Sequence, residues 1–216
     1  CASAPGKWPR PGAAGNSLCW QKPQVLNALI NFLGFQSVWF LSLFGAGTHR
    51  SWLGAIALVA FTAWHFRSVA NPRAEIVIVL IACAVGFVVD TAFIQANLLA
   101  YAEPLPFAAV APYWILGMWV NFALTLNGSM RWLHGRYLLA AALGAVGGPL
   151  AYVAGIKLGA AELLASGVVV YGVLAVVWAL AVPLLVLATE RVNQRWPPAA
   201  FGRVSQAQGR TWTRPS

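Results

Sequence analysis

The sequence predicts an all-α polytopic membrane protein, a bundle of six transmembrane helices with a kink in the fifth. Three observations lead there. Only 9% of the 216 residues are charged and 60% are hydrophobic, against about 25% charged in a soluble domain. Six apolar stretches approach the ~20 residues that a crossing helix needs. The basic residues also fall almost wholly on one side of those stretches.

The stretches are Val25–Phe44, Trp52–Ala70, Ile76–Ala100, Ala108–Leu126, Tyr137–Ile156 and Val168–Leu187. Helix is the state they dictate. In hydrocarbon every backbone N–H and C=O must be satisfied within the segment, and these runs are too long and too evenly apolar for barrel strands. This divides the chain into an irregular N-terminal segment (1–24), a six-helix membrane domain (25–190) and a basic, irregular cytoplasmic tail (191–216).

Orientation follows from charge. Of the fourteen Lys and Arg residues, Arg50 and Lys157 alone fall on one side, and the other twelve fall on the side of the two termini. Cytoplasmic loops carry the Lys/Arg excess, so both termini are expected in the cytoplasm. The net charge of +9 is thereby read as topology, and no nucleic-acid partner is implied. Membrane lipid is the expected surrounding. The tail after Glu190 contains no acidic residue and is expected to lie against anionic headgroups. At the other end the chain opens on Cys1 with a Pro-, Gly- and Ala-rich run. A truncated or mis-started reading frame is the expectation there, in preference to a lipidated Cys1.

Polar groups inside the apolar stretches are the candidate functional residues. Asp90 is the one acid well inside a stretch, and an ionisable group at that depth is a functional hypothesis by default. At 100° per residue Cys83, Gly86, Asp90 and Asn97 share a face, which should look into the bundle. An amide is the expected hydrogen-bond partner of Asp90, from Gln36 or an Asn. Asn31 and Gln36 in the first stretch, Asn121 in the fourth and His65 near the inner end of the second complete the candidate binding set. Interhelical amides can also be simple packing contacts, each contributing roughly 0.6 kcal/mol.

The fifth stretch carries Gly144, Gly147-Gly148-Pro149 and Gly155. Gly144 and Gly148 form a GxxxG pair, continued by Ala151 and Gly155, that lets a neighbouring backbone approach closely. Pro149 removes one helical hydrogen bond and crowds the preceding turn, which predicts a kink or short break.

No HExxH, GxSxG, CxxC, Walker A loop or facing pair of axial histidines is present, and there are only five acidic residues. No catalytic set, metal or cofactor is therefore assigned.

A further set of residues carries a family resemblance. These are Asn31-Phe32, Gln36 and Trp39; Pro112, Trp114, Trp119, Phe122-Ala123, Leu126-Asn127 and Ser129; and Gly147-Gly148-Pro149, Tyr152, Gly155 and Gly159-Ala160. Together with Asp90 the pattern resembles the bacterial membrane family called domain of unknown function 2878, over about Leu26 to Ala188. The resemblance implies a small multi-pass protein of the bacterial inner membrane with no assigned activity. It also implies a loose association with enzymes that modify fatty acids. Two classes of function stay open. One is a small carrier, lipid-binding protein or accessory membrane subunit. The other is a membrane-embedded enzyme of lipid modification using Asp90 and His65, whose different depths weigh against it.

Overall fold

The computed structural model describes residues 17–197, with side chains from residue 25 onward. Residues 1–16, most of the expected irregular N-terminal segment, and 198–216, most of the expected basic tail, lie outside the described residues. The described residues form six helices: α1 (Ser17–Gly47), α2 (Trp52–Ser68), α3 (Pro72–Gln95), α4 (Tyr113–Leu126), α5 (Tyr137–Lys157) and α6 (Gly167–Arg195). Two three-residue strands, β1 (Leu99–Tyr101) and β2 (Ala161–Leu163), and a single 3-10 turn at Arg131–Leu133 complete the described elements.

Among the described residues, four helical segments are long and apolar enough to cross a membrane: Val25–Gly47, Pro72–Gln95, Tyr137–Lys157 and Gly167–Arg195. Large apolar side chains stand exposed on the outer faces of the bundle, among them Val59 at 69%, Val88 at 66% and Val176 at 61%. Such a surface suits hydrocarbon and is too apolar for a soluble monomer. The two remaining helices are shorter, at 17 residues for α2 and 14 for α4.

Helix α4 is the centre of the bundle. It packs against α1, α2, α3 and α6, while α5 packs on α6. Trp114, Ile115, Trp119, Asn121 and the run Ala123–Leu126 are all buried along it. Most of its length is covered by neighbouring helices, with Leu116, Met118, Val120 and Phe122 half-buried, which explains how a helix of about 21 Å at 1.5 Å per residue can serve the bundle.

The third helix lies earlier in the chain than the sequence predicts, Pro72–Gln95 in place of Ile76–Ala100. Helix α3 begins with Asn71 accepting from the Ala74 N–H (3.3 Å) and Pro72 in the first turn, a start that suits both residues. It stops at Gln95, because Asn97 takes the left-handed conformation (φ 53°). The Asn97 and Leu98 N–H groups bond back to the Ile94 and Phe93 carbonyls, the hydrogen-bond pattern of a Schellman stop. Asn97 therefore terminates α3, where the sequence reading had placed it on the shared helical face.

Helix α5 ends the same way. Gly159 (φ +76°) donates to Ile156, and Ala160 donates to Gly155. Each stop is followed two residues later by a strand. β1 and β2 then pair antiparallel, with Leu99 opposite Leu163 and Tyr101 opposite Ala161. Because strand side chains alternate, Leu99 and Tyr101 both turn into the bundle and are buried. This two-stranded sheet was not anticipated.

Of the kink or short break expected at Gly147-Gly148-Pro149, the break does not form: α5 is helical without interruption from Tyr137 to Lys157, with Pro149 inside it. Proline leaves the Ala145 carbonyl without its helical donor, a loss the turns on either side can carry.

Candidate functional site

Asp90 lies fully buried on α3 and is held by three side chains from three other elements. The Tyr101 hydroxyl of β1 donates to Oδ1 at 2.5 Å, and the Tyr152 hydroxyl of α5 donates to the same oxygen at 2.7 Å. The Trp119 indole N–H of α4 donates to Oδ2 at 2.6 Å. These replace the amide partner expected from sequence. Both carboxylate oxygens are satisfied without a basic residue, which is how a buried acid can be tolerated. Burial pushes the Tyr101 hydroxyl well above the usual phenol value, so it remains a proton donor to the carboxylate.

Glycines make room for this arrangement. A Cβ on Gly86 would collide with the Trp119 ring. Trp119 stacks on Trp178 of α6, with ring centroids 4.9 Å apart and planes 9° from parallel. Trp178 in turn occupies the space left by α5: a Cβ on Gly144 would strike its carbonyl oxygen, and one on Gly148 would strike its ring. The Gly144/Gly148 pair thus seats an indole stack that ends at the Asp90 carboxylate. Gly155 faces Leu43 of α1, whereas a Cβ on Gly147 would meet nothing within 4 Å.

Beside this cluster is a cavity of about 400 Å³ between α1 and α5, floored by α4 and Asp90. Its walls include Phe35, Gln36, Trp39, Trp178 and the Gly144–Gly148 edge of α5. It is closed at one end where α1 meets α5, since a Cβ on Gly47 would strike the Leu158 carbonyl. Leu143, Gly147 and Leu150, which also line it, are exposed on the outside of the bundle. The cavity is therefore a lateral cleft, apolar throughout except at Gln36, Asp90 and the two tyrosines.

Asn31 and His65 belong to a second, separate cluster. Asn31 Nδ2 lies 3.5 Å from His65 Nδ1 and donates to the Leu124 carbonyl at 3.0 Å, while its Oδ1 accepts from the Ser129 N–H (2.9 Å) and hydroxyl (2.8 Å). His65 Nε2 meets Glu75 at 3.3 Å, and Asn127 donates to the same carboxylate at 2.8 Å. Asn193 donates to Asn127 at 2.7 Å. Five helices or their ends are tied together here, beside a polar recess of about 670 Å³. Asn121 joins neither cluster. Its amide donates to the Phe35 carbonyl at 3.0 Å, and its Oδ1 has no partner among the described residues.

The candidate set thus divides. Gln36 and Asp90 share the cleft, Asn31 and His65 share the second cluster, and His65 faces Glu75 instead of Asp90. Sequence reasoning missed Tyr101, Trp119 and Tyr152 as partners of Asp90, and it missed Glu75 by starting the third stretch at Ile76, four residues after the start of α3. Tyr152 had a usable signal: it follows Gly148 by four residues and so shares its helical face. No group of three or more His, Cys, Asp or Glu side chains suited to a metal occurs among the described residues.

A family model described as "Protein of unknown function (DUF2878)" matches residues 28–184. The chain belongs to this family. The DUF2878 match contains Gln36, Asp90, Trp119, Tyr152 and Trp178, so the whole cleft lies within it, and of the second cluster it leaves out Asn193. No match to a curated protein or to a solved structure was found.

Proposed function

We propose that this DUF2878 protein is a lipid-binding membrane protein, whose cleft between α1 and α5 takes an apolar chain directly from the bilayer. The observation that carries this reading is the cleft itself. A volume of about 400 Å³ lies in the range of small-molecule sites, and an apolar wall with few polar groups is their usual lining. The cleft also opens between exposed apolar side chains, where a lipid would enter without passing through water.

Binding is testable on the purified full chain. Trp39, Trp114, Trp119 and Trp178 line the cleft, and a methyl ester brominated along its chain quenches indole fluorescence on contact. Quenching should saturate in the parent protein. It should lose that saturable part in Gly147→Phe, which fills the cleft at a position where added bulk meets nothing. Identical, non-saturating quenching of both proteins would dismiss the reading.

The same proposal places all six helices across the inner membrane of a bacterium, with both termini cytoplasmic and the basic tail against anionic headgroups. The partition of Lys and Arg supports it, as does the shielding of short α4 by its neighbours. Reporter fusions after Glu103 and Arg214 should report external and cytoplasmic locations respectively. A cytoplasmic signal at Glu103 or an external one at Arg214 removes this topology.

A further inference from the structure

We infer that the cleft selects an uncharged lipid bearing a hydroxyl group within its apolar chain, and that Gln36 is the residue that recognises it. This rests on the lipid-binding reading above and adds the chemistry of the ligand.

Gln36 is the central residue of the apolar segment Val25–Gly47, roughly 16 Å from either end at 1.5 Å per residue. Its side chain is exposed, lines the cleft and makes no hydrogen bond among the described residues. An amide left in hydrocarbon without a partner is penalised by about 1–3 kcal/mol on protein scales and by more against alkane. Asn31, by contrast, donates to the Leu124 carbonyl and accepts from Ser129, and Asn121 donates to the Phe35 carbonyl although its Oδ1 has no partner among the described residues.

The rest of the cleft narrows the ligand's chemistry. The hydroxyl protons of Tyr101 and Tyr152 and the Trp119 N–H are all committed to Asp90. No Lys, Arg or His lines the cleft, so an anionic headgroup would find no countercharge. The Asp90 carboxylate is fully enclosed by its three donors, so a cationic group has no open oxygen to meet. What remains free is the Gln36 amide, with its Nε2 donors and Oε1 acceptor, and the Trp178 indole N–H, which can only donate and has no partner among the described residues, so Gln36 alone offers both a donor and an acceptor. A hydroxyl complements both, donating to Oε1 and accepting from Nε2. A plain hydrocarbon chain satisfies neither.

Two competitors differing by one group test this: methyl 12-hydroxystearate and methyl stearate, each displacing the brominated ester from the full chain. In the parent protein the hydroxylated ester should displace it at about fivefold lower concentration, the gain expected of one hydrogen bond. Gln36→Leu places an apolar side chain in an apolar wall and should melt no lower than the parent. In that variant the two competitors should become equal. Equal displacement in the parent, or a preference that survives in Gln36→Leu, overturns the role of Gln36 while leaving the cleft as a lipid site. Absence of any saturable quenching overturns both.

Discussion

Leucine at Gly144 is expected to destabilise the protein by about 3 kcal/mol, the upper range for overpacking a filled interior. Leucine three residues later, at Gly147, should have no measurable effect on stability. The contrast follows from what each Cβ would meet. At Gly144 it strikes the main-chain carbonyl of Trp178, which can move only if α6 moves with it, whereas at Gly147 nothing lies within 4 Å. Thermal melting of the full chain in detergent, followed by tryptophan fluorescence, reads both variants. Equal melting of Gly144→Leu and Gly147→Leu would mean that α5 does not rest on α6 through its glycines.

Replacement of Asp90 should have a still larger effect. In Asp90→Leu the Tyr101, Tyr152 and Trp119 donors lose their acceptor together, deep in the bundle. Each buried unpaired donor costs about 1–3 kcal/mol. The sum is comparable to the roughly 5–15 kcal/mol that holds a whole domain folded, so the variant should fail to accumulate. Asp90→Asn is the milder change. Its oxygen can accept from Trp119 while its amide donates to the tyrosine hydroxyls, which accept as readily as they donate. It should fold with a loss of about 1–3 kcal/mol, the difference between charge-assisted and neutral bonds. A well-folded Asp90→Leu protein melting with the parent would show that the three bonds contribute nothing.

Much of the architecture was legible because hydrocarbon imposes it. Long apolar runs between basic loops can only be helices, and the boundaries of α5 fell within a residue of those expected. The family was legible as well, since Asp90, Trp119 and Tyr152 sit in segments with recognisable spacing. The end of α3 was hidden because Leu98–Tyr101 is as apolar as the helix before it. Only the left-handed Asn97 separates the two, and asparagine enters that conformation without announcing it in composition. The partners of Asp90 were hidden for a related reason. Tyr101 reaches the carboxylate by way of a strand that exists only because a second helix stop, at Gly159, delivers β2 beside it. Periodicity within one helix cannot express a meeting of that kind. The pairing of His65 with Glu75 was likewise a matter of tertiary placement, although a histidine and a glutamate flanking one short helix connection offered a clue.

On the lipid-binding reading, the mouth of the cleft, between Leu143, Gly147 and Leu150 on one side and α1 on the other, sets the units in which affinity must be expressed. A site that exchanges sideways with lipid competes against every other chain in the leaflet. Its occupancy then follows the mole fraction of the ligand among those chains and is indifferent to how much dissolves in the surrounding water. Dilution of a suspension at fixed membrane composition should leave the site as full as before, while enrichment of the bilayer with unrelated lipid should empty it. In micelles the detergent itself becomes the competitor, so the apparent midpoint of any titration should shift in proportion to detergent concentration.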